Sequence, residues 1–240
     1  YYEKIIPNYF NKVKFNNNYE KLESFNNASH IFIVGLPRSG STLIETIIMH
    51  NAKKISSVGE FHAFNTSMLE QISKEIYSKN FNSDNYILSL LSEKFQNSLI
   101  QKYDNFEQNT YLDKSLENFF NIEVILEFFP NTKFIHVKRN LNDNILGIYQ
   151  TMLTRLSWAH SIDTITKYVK NYIKVISYFK KKYPENIFEI NLEDIINNKE
   201  FYIKELLNFL KINFSKNYLE FDKNDGLFNK TNSFLQVREK

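Results

Sequence analysis

The stretch IFIVGLPRSGSTLIE, residues 31–45, contains the pattern from which the fold of this chain is predicted. Its first four residues, 31–34, form an apolar run rich in β-branched side chains and ended by Gly35, which predicts a buried parallel strand. After Gly40, apolar residues recur at helical spacing over 43–48, with Glu45 and Thr46 between them, which predicts an amphipathic helix. A strand, a glycine-containing loop and a helix in this order place backbone N–H groups around an anion. The stretch therefore predicts a phosphate-type site.

The loop between this strand and helix nearly fits a nucleoside-triphosphatase pattern. That pattern is G-x-x-x-x-G-K-[ST], but Ser41 stands where it has the lysine, so ATP hydrolysis is disfavoured. A cation is available at Arg38, whose guanidinium can fork onto phosphate or sulfate oxygens. The alternative is an ordinary glycine turn between a strand and a helix.

Strand and helix patterns alternate along the rest of the chain. Buried strands are predicted at 134–137 and 187–190, the first of them after a helix over 119–129 that Pro130 ends. Further apolar stripes at helical spacing occur at 69–76, 87–99, 165–179 and 203–210. This alternation predicts an α/β fold, a P-loop-like three-layer α/β/α arrangement around a central, mostly parallel sheet.

Composition limits the functional classes. The chain has no cysteine, which excludes disulfides and thiol catalysis, and its five histidines are far apart in sequence, so no metal site is indicated. A net charge of +3 is too small to indicate nucleic-acid binding. No stretch reaches the ~20 apolar residues of a membrane helix. We expect a cytoplasmic protein with one domain over 31–240 after a partly helical leader over 1–30. Because the chain begins with Tyr1, upstream repeats or an anchor in a longer protein stay open.

The stretch 31–45 resembles the 5′-phosphosulfate-binding loop of the sulfotransferases that use 3′-phosphoadenosine 5′-phosphosulfate (PAPS). The bacterial branch associated with tetratricopeptide repeats and the tyrosylprotein branch are the most similar. The resemblance implies transfer of a sulfuryl group from PAPS to a hydroxyl or amine acceptor, with 3′,5′-ADP released and no metal required. It also implies that Arg38 neutralises charge on the bridging oxygen as the S–O bond breaks. The implied phosphosulfate-binding residues are Pro37, Arg38, Ser39, Gly40, Ser41, Thr42 and Leu43.

FPNTKFIHVKRNLNDNILGIY, residues 129–149, resembles the segment of this family that binds the 3′-phosphate of the donor. In the family, an arginine after a strand and a serine eight residues later hold that phosphate. Arg139 takes the arginine position, whereas Gly147 stands at the serine position, so the hydroxyl contact is lost unless Asn144 or a backbone amide replaces it. The alternative for Arg139 is a surface charge at a strand end.

Two later segments carry the same resemblance. TNSFLQVREK, residues 231–240, is similar to the family element T-x-S-x-x-Q-V-R, which implies that Ser233 approaches the phosphosulfate and that Arg238 borders the nucleotide. FEINLED, residues 188–194, places Leu192 where many relatives contact the adenine through a tyrosine. The resemblance then implies apolar packing of the adenine here.

Three residues are the candidates for acid–base chemistry. Glu60, which follows a glycine, resembles the general base of the tyrosylprotein and tetratricopeptide branches. His62 is the second candidate base, because small-molecule sulfotransferases use a histidine, or else it is structural. Lys114, after a short strand, resembles the lysine near the bridging oxygen, or else it is a solvated charge. The implied scheme has Glu60 deprotonate the acceptor while Arg38, Lys114 and Ser233 stabilise the leaving phosphate oxygens.

Two other functions stay open. A catalytically silent PAPS- or nucleotide-binding module is motivated by Leu141, Gly147 and Leu192, which depart from the family pattern. A P-loop nucleotide kinase is disfavoured by Ser41 and by the lack of an evident magnesium carboxylate. The acceptor is not indicated, because variable helices and loops build acceptor pockets. Protein tyrosine, carbohydrate, lipid and small alcohol or phenol acceptors all remain.

Overall fold

The structure is a computed structural model that describes residues 29–52, 54–64, 101 and 110–213. The helices predicted at 69–76 and 87–99, nearly all of the leader over 1–30, and the candidate residues Ser233 and Arg238 lie outside the described residues.

Strands and helices alternate through the described part of the chain. The strands are β1 (Ser29–Gly35), β2 (Ile55–Gly59), β3 (Thr110–Asp113), β4 (Lys133–Lys138) and β5 (Ile187–Asn191). The α-helices are α1 (Ser41–Asn51), α2 (Ile122–Phe128), α3 (Leu141–Thr151), α4 (Ile162–Lys182), α5 (Leu192–Asn197) and α6 (Lys199–Phe209). Two short 3-10 helices span Leu116–Phe120 and Ser157–His160.

The five strands form one sheet in the order β2-β3-β1-β4-β5, and every pairing is parallel. β1 is therefore the central strand. In its register, Phe32 lies opposite Asp113 of β3 on one side and Phe134 of β4 on the other. The predicted α/β fold with a parallel sheet is confirmed.

Helices cover both faces of the sheet. Successive side chains of β1 point to opposite faces, so neighbouring residues of β1 pack against different helices. On one face, Phe32 of β1 packs in a cluster with Phe179 of α4. On the other face, Ile33 packs in a cluster with Ile44 of α1 and Leu206 of α6. The predicted three layers are thus present, and the strand predicted to be buried is buried, with Ile33 0% exposed.

Two strands depart from the predictions, and the helix predicted over 119–129 is divided into the 3-10 helix Leu116–Phe120 and α2. β2, with the sequence ISSVG, was not predicted, because Ser56, Ser57 and Gly59 break the apolar pattern of a buried strand. β1 begins at Ser29, two residues earlier than predicted, because His30 extends the ladder opposite Tyr111.

Candidate active site

Each strand of the sheet is followed, at the same edge, by a residue or loop that the sequence marked. Glu60 follows β2, Lys114 follows β3, the loop 36–40 follows β1, Arg139 follows β4 and Leu192 follows β5. Since all five strands run parallel, these groups share the carboxyl edge of the sheet. Ligands of open α/β sheets bind outside this edge. The fold therefore gathers into one row residues that are far apart in sequence, and Leu192 lies against Gly40 at the start of α1.

The loop after β1 leads into the N-terminus of α1 through Gly40. Gly40 has a φ of 96° and is the N-cap of α1, which has no side-chain cap. The first N–H groups of an α-helix have no partner within the helix, and this end of the helix carries partial positive charge. A Cβ on Gly40 would lie 2.9 Å from Cδ1 of Leu192, so the close approach of that leucine requires glycine here.

Two contacts fix the position of the loop against β4 and α3. A Cβ on Gly35 would lie 2.6 Å from the carbonyl oxygen of Val137, so only glycine allows the loop to leave β1 this close to β4. The Asn144 side chain, which is buried, donates from Nδ2 to the Pro37 carbonyl at 2.6 Å. Asn144 thus holds the loop, where the sequence had offered it as a replacement for the 3′-phosphate serine.

Two arginines lie together at the mouth of this loop. Arg38 has a φ of 66°, a left-handed conformation, and its carbonyl accepts a long hydrogen bond of 3.4 Å from Nη1 of Arg139. Burial, and then the charge of Arg139, lowers the pKa of Arg38. Gly147 adjoins both, since a Cβ there would lie 3.5 Å from the Arg38 Cβ and 4.0 Å from the Arg139 Nη1. Two guanidinium groups beside a helix N-terminus are chemically suited to bind an anion.

The candidate bases and the candidate lysine also lie together. Nζ of Lys114 is 3.2 Å from Oε1 of Glu60, and Nε2 of His62 is 3.7 Å from Oε2 of the same carboxylate. The Lys114 side chain is only 4% exposed, so the alternative of a solvated surface charge is wrong.

The two cations lower the pKa of Glu60 to about 2, His62 contributing first and Lys114 after it, against the opposing effect of burial. Glu60 in turn raises the pKa of His62 above its usual value. Glu60 is therefore ionised throughout the physiological range. His62 binds its proton more tightly than an isolated imidazole, which favours His62 as a charge partner of Glu60 over His62 as a base.

A buried hydrogen-bond chain supports the turn that carries His62. Asp113 accepts the Ser115 backbone N–H at 2.7 Å, and Ser115 Oγ accepts the His62 backbone N–H at 2.8 Å. Burial raises the pKa of Asp113 to about 6. His62 itself has a φ of 56°, so this chain holds a backbone conformation that non-glycine residues seldom adopt.

Sequence reasoning missed one ionisable residue of this group, Glu45. It was interpreted only as a polar position of an amphipathic helix, yet it is 6% exposed and lies 3.4 Å, Oε2 to Nζ, from Lys114. Its other oxygen, Oε1, accepts a hydrogen bond of 2.7 Å from Ser57 Oγ of β2. The available signal was a single carboxylate among isoleucines one turn beyond the phosphate loop.

Two further observations concern the described residues as a whole. Within them, no three His, Asp or Glu side chains are placed to hold a metal ion. None of the described helices combines the length and hydrophobicity that crossing a membrane requires.

The chain was compared with known protein families and with individual relatives. The model of a family described as "Sulfotransferase family" matches residues 30–216. An uncharacterized protein of Aquifex aeolicus (strain VF5) is 27% identical over 221 residues, which are 87% of this chain and 29% of that protein. The chain thus spans under a third of the length of this relative.

Solved structures share the fold at low sequence identity. The sulfotransferase domain of the Synechococcus PCC 7002 olefin synthase has a TM-score of 0.62 at 17% identity, covering 93% of this chain and 86% of that one. The sulfotransferase domain from the curacin biosynthetic pathway has a TM-score of 0.60 at 20% identity, covering 82% and 79%. Mouse sulfotransferase SULT7A1, solved in complex with PAP, has a TM-score of 0.52 at 13% identity, covering 87% and 73%.

Proposed function

The chain belongs to the sulfotransferase family, and from that premise we propose that it transfers a sulfuryl group from PAPS to a hydroxyl or amine acceptor, releasing 3′,5′-ADP. The observation that carries the proposal is the pairing of Arg38 and Arg139 beside the uncapped N-terminus of α1. PAPS carries two anionic groups, a 5′-phosphosulfate and a 3′-phosphate. The described site offers a separate cation for each of them.

The residues of the loop fit the anionic end of such a donor. Gly35 and Gly40 both stand where a Cβ would collide with its neighbours, so the backbone of the loop is held close to β4 and to Leu192. The N–H groups at the start of α1 and the Arg38 guanidinium would bind the phosphosulfate, together with residues 39–43. Arg139 would bind the 3′-phosphate. The PAP complex of the mouse sulfotransferase supports this class of donor.

The position of Leu192 supports a binding surface for the rest of the nucleotide. Its side chain covers Gly40 at the start of α1, beside the loop that holds the anion. We propose that it contributes apolar packing to the nucleotide and that Ser233 and Arg238, outside the described residues, complete the donor site.

On the other side of the loop, Glu60 and Lys114 are proposed to act as the general base and as a stabiliser of negative charge on the leaving oxygen. The donor brings an activated sulfuryl group whose leaving group is a phosphate oxygen. Glu60, about half exposed, would accept the proton of the acceptor, and Lys114 and Arg38 would stabilise charge on that oxygen. In the free protein His62 first, and then Lys114, lower the pKa of Glu60 and weaken it as a base. As Lys114 turns toward the leaving oxygen, Glu60 loses a cationic neighbour and its affinity for a proton rises.

Nucleotide binding tests the donor assignment. Titration calorimetry should give micromolar binding of 3′,5′-ADP, and at least tenfold weaker binding of 5′-AMP and of ATP with magnesium, because only the first has the 3′-phosphate. Arg139→Ala should weaken 3′,5′-ADP by about 10- to 100-fold and leave 5′-AMP unchanged. Arg155→Ala, which removes an exposed arginine, is the matched control. Preference for ATP with magnesium would support a kinase and contradict the proposal.

Turnover tests the base. PAPS consumption is followed with a panel of phenols, alcohols, saccharides, lipids, amines and tyrosine peptides. Glu60→Gln should lower kcat by about 10²- to 10⁴-fold with little change in 3′,5′-ADP affinity, since a general base contributes about that much. Glu205→Gln, at an exposed position of α6, should match the unchanged protein. Tight 3′,5′-ADP binding without turnover of any acceptor would instead identify a silent binding module.

A further inference from the structure

Glu45 is a buried carboxylate to which the proposed mechanism gives no role. It lies on α1, directly after the phosphate loop, and both of its oxygens have partners on other elements. Oε1 accepts from Ser57 Oγ at 2.7 Å, and Oε2 lies 3.4 Å from Lys114 Nζ. These partners belong to β2 and to the residue after β3. Glu45 thus connects the helix of the donor loop to the two strands that carry Lys114 and Glu60.

Lys114 lies between two carboxylates of different exposure. Its Nζ is 3.4 Å from Oε2 of Glu45 and 3.2 Å from Oε1 of Glu60. The Glu45 side chain is 8% exposed, whereas that of Glu60 is 46% exposed. Solvent screens an exposed pair far more than a buried one, so at similar distance the attraction to Glu45 is the stronger of the two. Glu45 therefore anchors the lysine.

Glu45 also acts on the turn that presents Glu60. The Ser57 hydroxyl donates to Glu45 and accepts the Gly59 backbone N–H at 3.2 Å. Gly59 has a φ of 71° and directly precedes Glu60. The carboxylate of Glu45 thus orients, through one hydroxyl, the backbone turn from which Glu60 projects.

We propose that Glu45 is a positioning residue for sulfuryl transfer, sharing the Lys114 ammonium with Glu60 so that Glu60 stays able to take the acceptor proton. This role rests on the proposed function of the same site. If Glu45 loses its charge, Lys114 has Glu60 as its main anionic partner. The lysine then neutralises the base and is held away from the leaving oxygen.

Kinetics provide the first test. Glu45→Gln preserves the shape of the side chain and should lower kcat by about 10- to 100-fold, the loss that a small misplacement of reacting groups produces. The Kd for 3′,5′-ADP should stay within about twofold, because the donor cations are untouched. Thr46→Val is the matched control: Thr46 is buried beside Glu45, and within the described residues its hydroxyl donates to the Thr42 carbonyl at 2.8 Å. It should change kcat by less than about twofold.

The titration of His62, followed by proton NMR and assigned with His62→Gln, tests the same idea without turnover. Glu60 first, then Asp113 and Glu117, raise the pKa of His62. In Glu45→Gln, stronger pairing of Lys114 with Glu60 should lower the His62 midpoint by about half a pH unit. In a Lys114→Met background the same change should have less than half of that effect, because no lysine is left to redistribute.

The outcomes separate the two proposals. If the wild-type protein neither binds 3′,5′-ADP nor consumes PAPS, the proposed function is contradicted, while the His62 titration still reports on Glu45. A kcat for Glu45→Gln within about threefold of the unchanged protein, or an equal His62 shift in both backgrounds, would overturn the positioning role. If Glu45→Gln does not fold, Glu45→Asp, which withdraws the carboxylate by one methylene, replaces it with the same expectations.

Discussion

At the scale of single residues, the backbone of Arg38 is held in a strained conformation by neighbouring groups. A non-glycine residue with a φ of 66° is about 1–2 kcal/mol less favourable than one in a right-handed conformation. The surrounding contacts hold it there, since Asn144 binds the preceding carbonyl of Pro37 and Arg139 donates to the carbonyl of Arg38. Strain that neighbouring groups enforce is typical of residues that bind ligands. Arg38 is thereby fixed two residues before Gly40, the N-cap of α1.

Gly147 leads to a prediction at this scale. A Cβ at this position meets the Arg38 Cβ at 3.5 Å and the Arg139 Nη1 at 4.0 Å, which are ordinary contacts, so a serine fits. Gly147→Ser should tighten 3′,5′-ADP by about tenfold and leave 5′-AMP unchanged, because a hydroxyl bound to a charged phosphate adds about 1.5 kcal/mol or more. Calorimetry on both nucleotides measures this difference.

Gly147→Ala serves as the control for Gly147→Ser, because it adds the Cβ without the hydroxyl. Both variants should raise the free energy of unfolding, by up to about 1 kcal/mol for alanine, since glycine is unfavourable inside a helix. Equal nucleotide affinity in the alanine and serine variants would contradict a hydroxyl contact and would place the 3′-phosphate away from Gly147.

At the scale of elements, local patterns predicted the strands that are rich in apolar side chains, and missed one whose stability comes from its neighbours. β1, β4 and β5 are mainly apolar in the sequence, and their predicted bounds lie within two residues of the observed ones. β2 is an edge strand with serines at its centre, and it is stabilised by pairing with β3 and by the bond from Ser57 to Glu45. That bond depends on strand order, which a local pattern does not contain.

The same distinction, between features visible in a local pattern and those that depend on strand order, applies to the site. Glu60, Lys114 and Arg139 were predicted because a resemblance marked them along the chain, and the structure brings the first two into contact. Glu45 was missed because its role depends on which strands lie beneath α1. Its neighbours Ile44 and Ile48 give the helix an apolar pattern, in which Glu45 counts only as a polar position of an amphipathic helix.

His30 of β1 leads to a prediction about pH at this scale. It is 2% exposed and stacks on Phe129, with ring centroids 4.0 Å apart, and burial lowers its pKa to about 4. An unfolded histidine titrates near 6.5, so the unfolded state binds the proton first as pH falls. The contribution of His30 to stability is therefore complete above about pH 6.5 and is lost as pH falls toward 4. Between pH 7 and pH 5 the loss should be about 2 kcal/mol.

Two non-titrating replacements isolate this effect from other groups. Asp113, whose pKa is raised to about 6, contributes the opposite dependence, with its stability lost as pH rises. The measured quantity is therefore the difference in unfolding free energy between each variant and the unchanged protein, from urea unfolding at pH 7, 6 and 5. His30→Phe and His30→Gln should both gain about 2 kcal/mol relative to the unchanged protein between pH 7 and pH 5. A difference that is constant with pH would show that His30 is not the responsible group.

At the scale of the whole molecule, the strand order divides the site into two halves about the central strand. Arg139 and Leu192 follow β4 and β5 on one side, whereas Glu60 and Lys114 follow β2 and β3 on the other. The phosphate loop after β1 lies between them. With strands about 4.8 Å apart, a ligand bound from β1 to β5 extends away from the carboxylates. The nucleotide is therefore expected in one half and the acceptor in the other.

Hydrogen exchange read by mass spectrometry tests this division. At a hundred times its Kd, 3′,5′-ADP should slow amide exchange by up to about 100-fold in peptides covering 36–44 and 139–148. Peptides covering 55–64 should change by less than about threefold, because that half would contact the acceptor. Protection concentrated in 55–64 would place the nucleotide on the opposite side of β1 and would contradict the assignment.

The division of the carboxyl edge also bears on how such a protein diversifies. Under the proposed assignment, substitutions after β2 and β3 would alter which acceptor is used and would leave the donor cations after β1 and β4 in place. The acceptor half could then vary under selection while the donor half is kept. Glu45 is the exception, because it extends from the donor helix to Ser57 and Lys114. Lineages that change acceptors should therefore vary freely around Glu60 but change Glu45, Ser57 and Lys114 together or not at all.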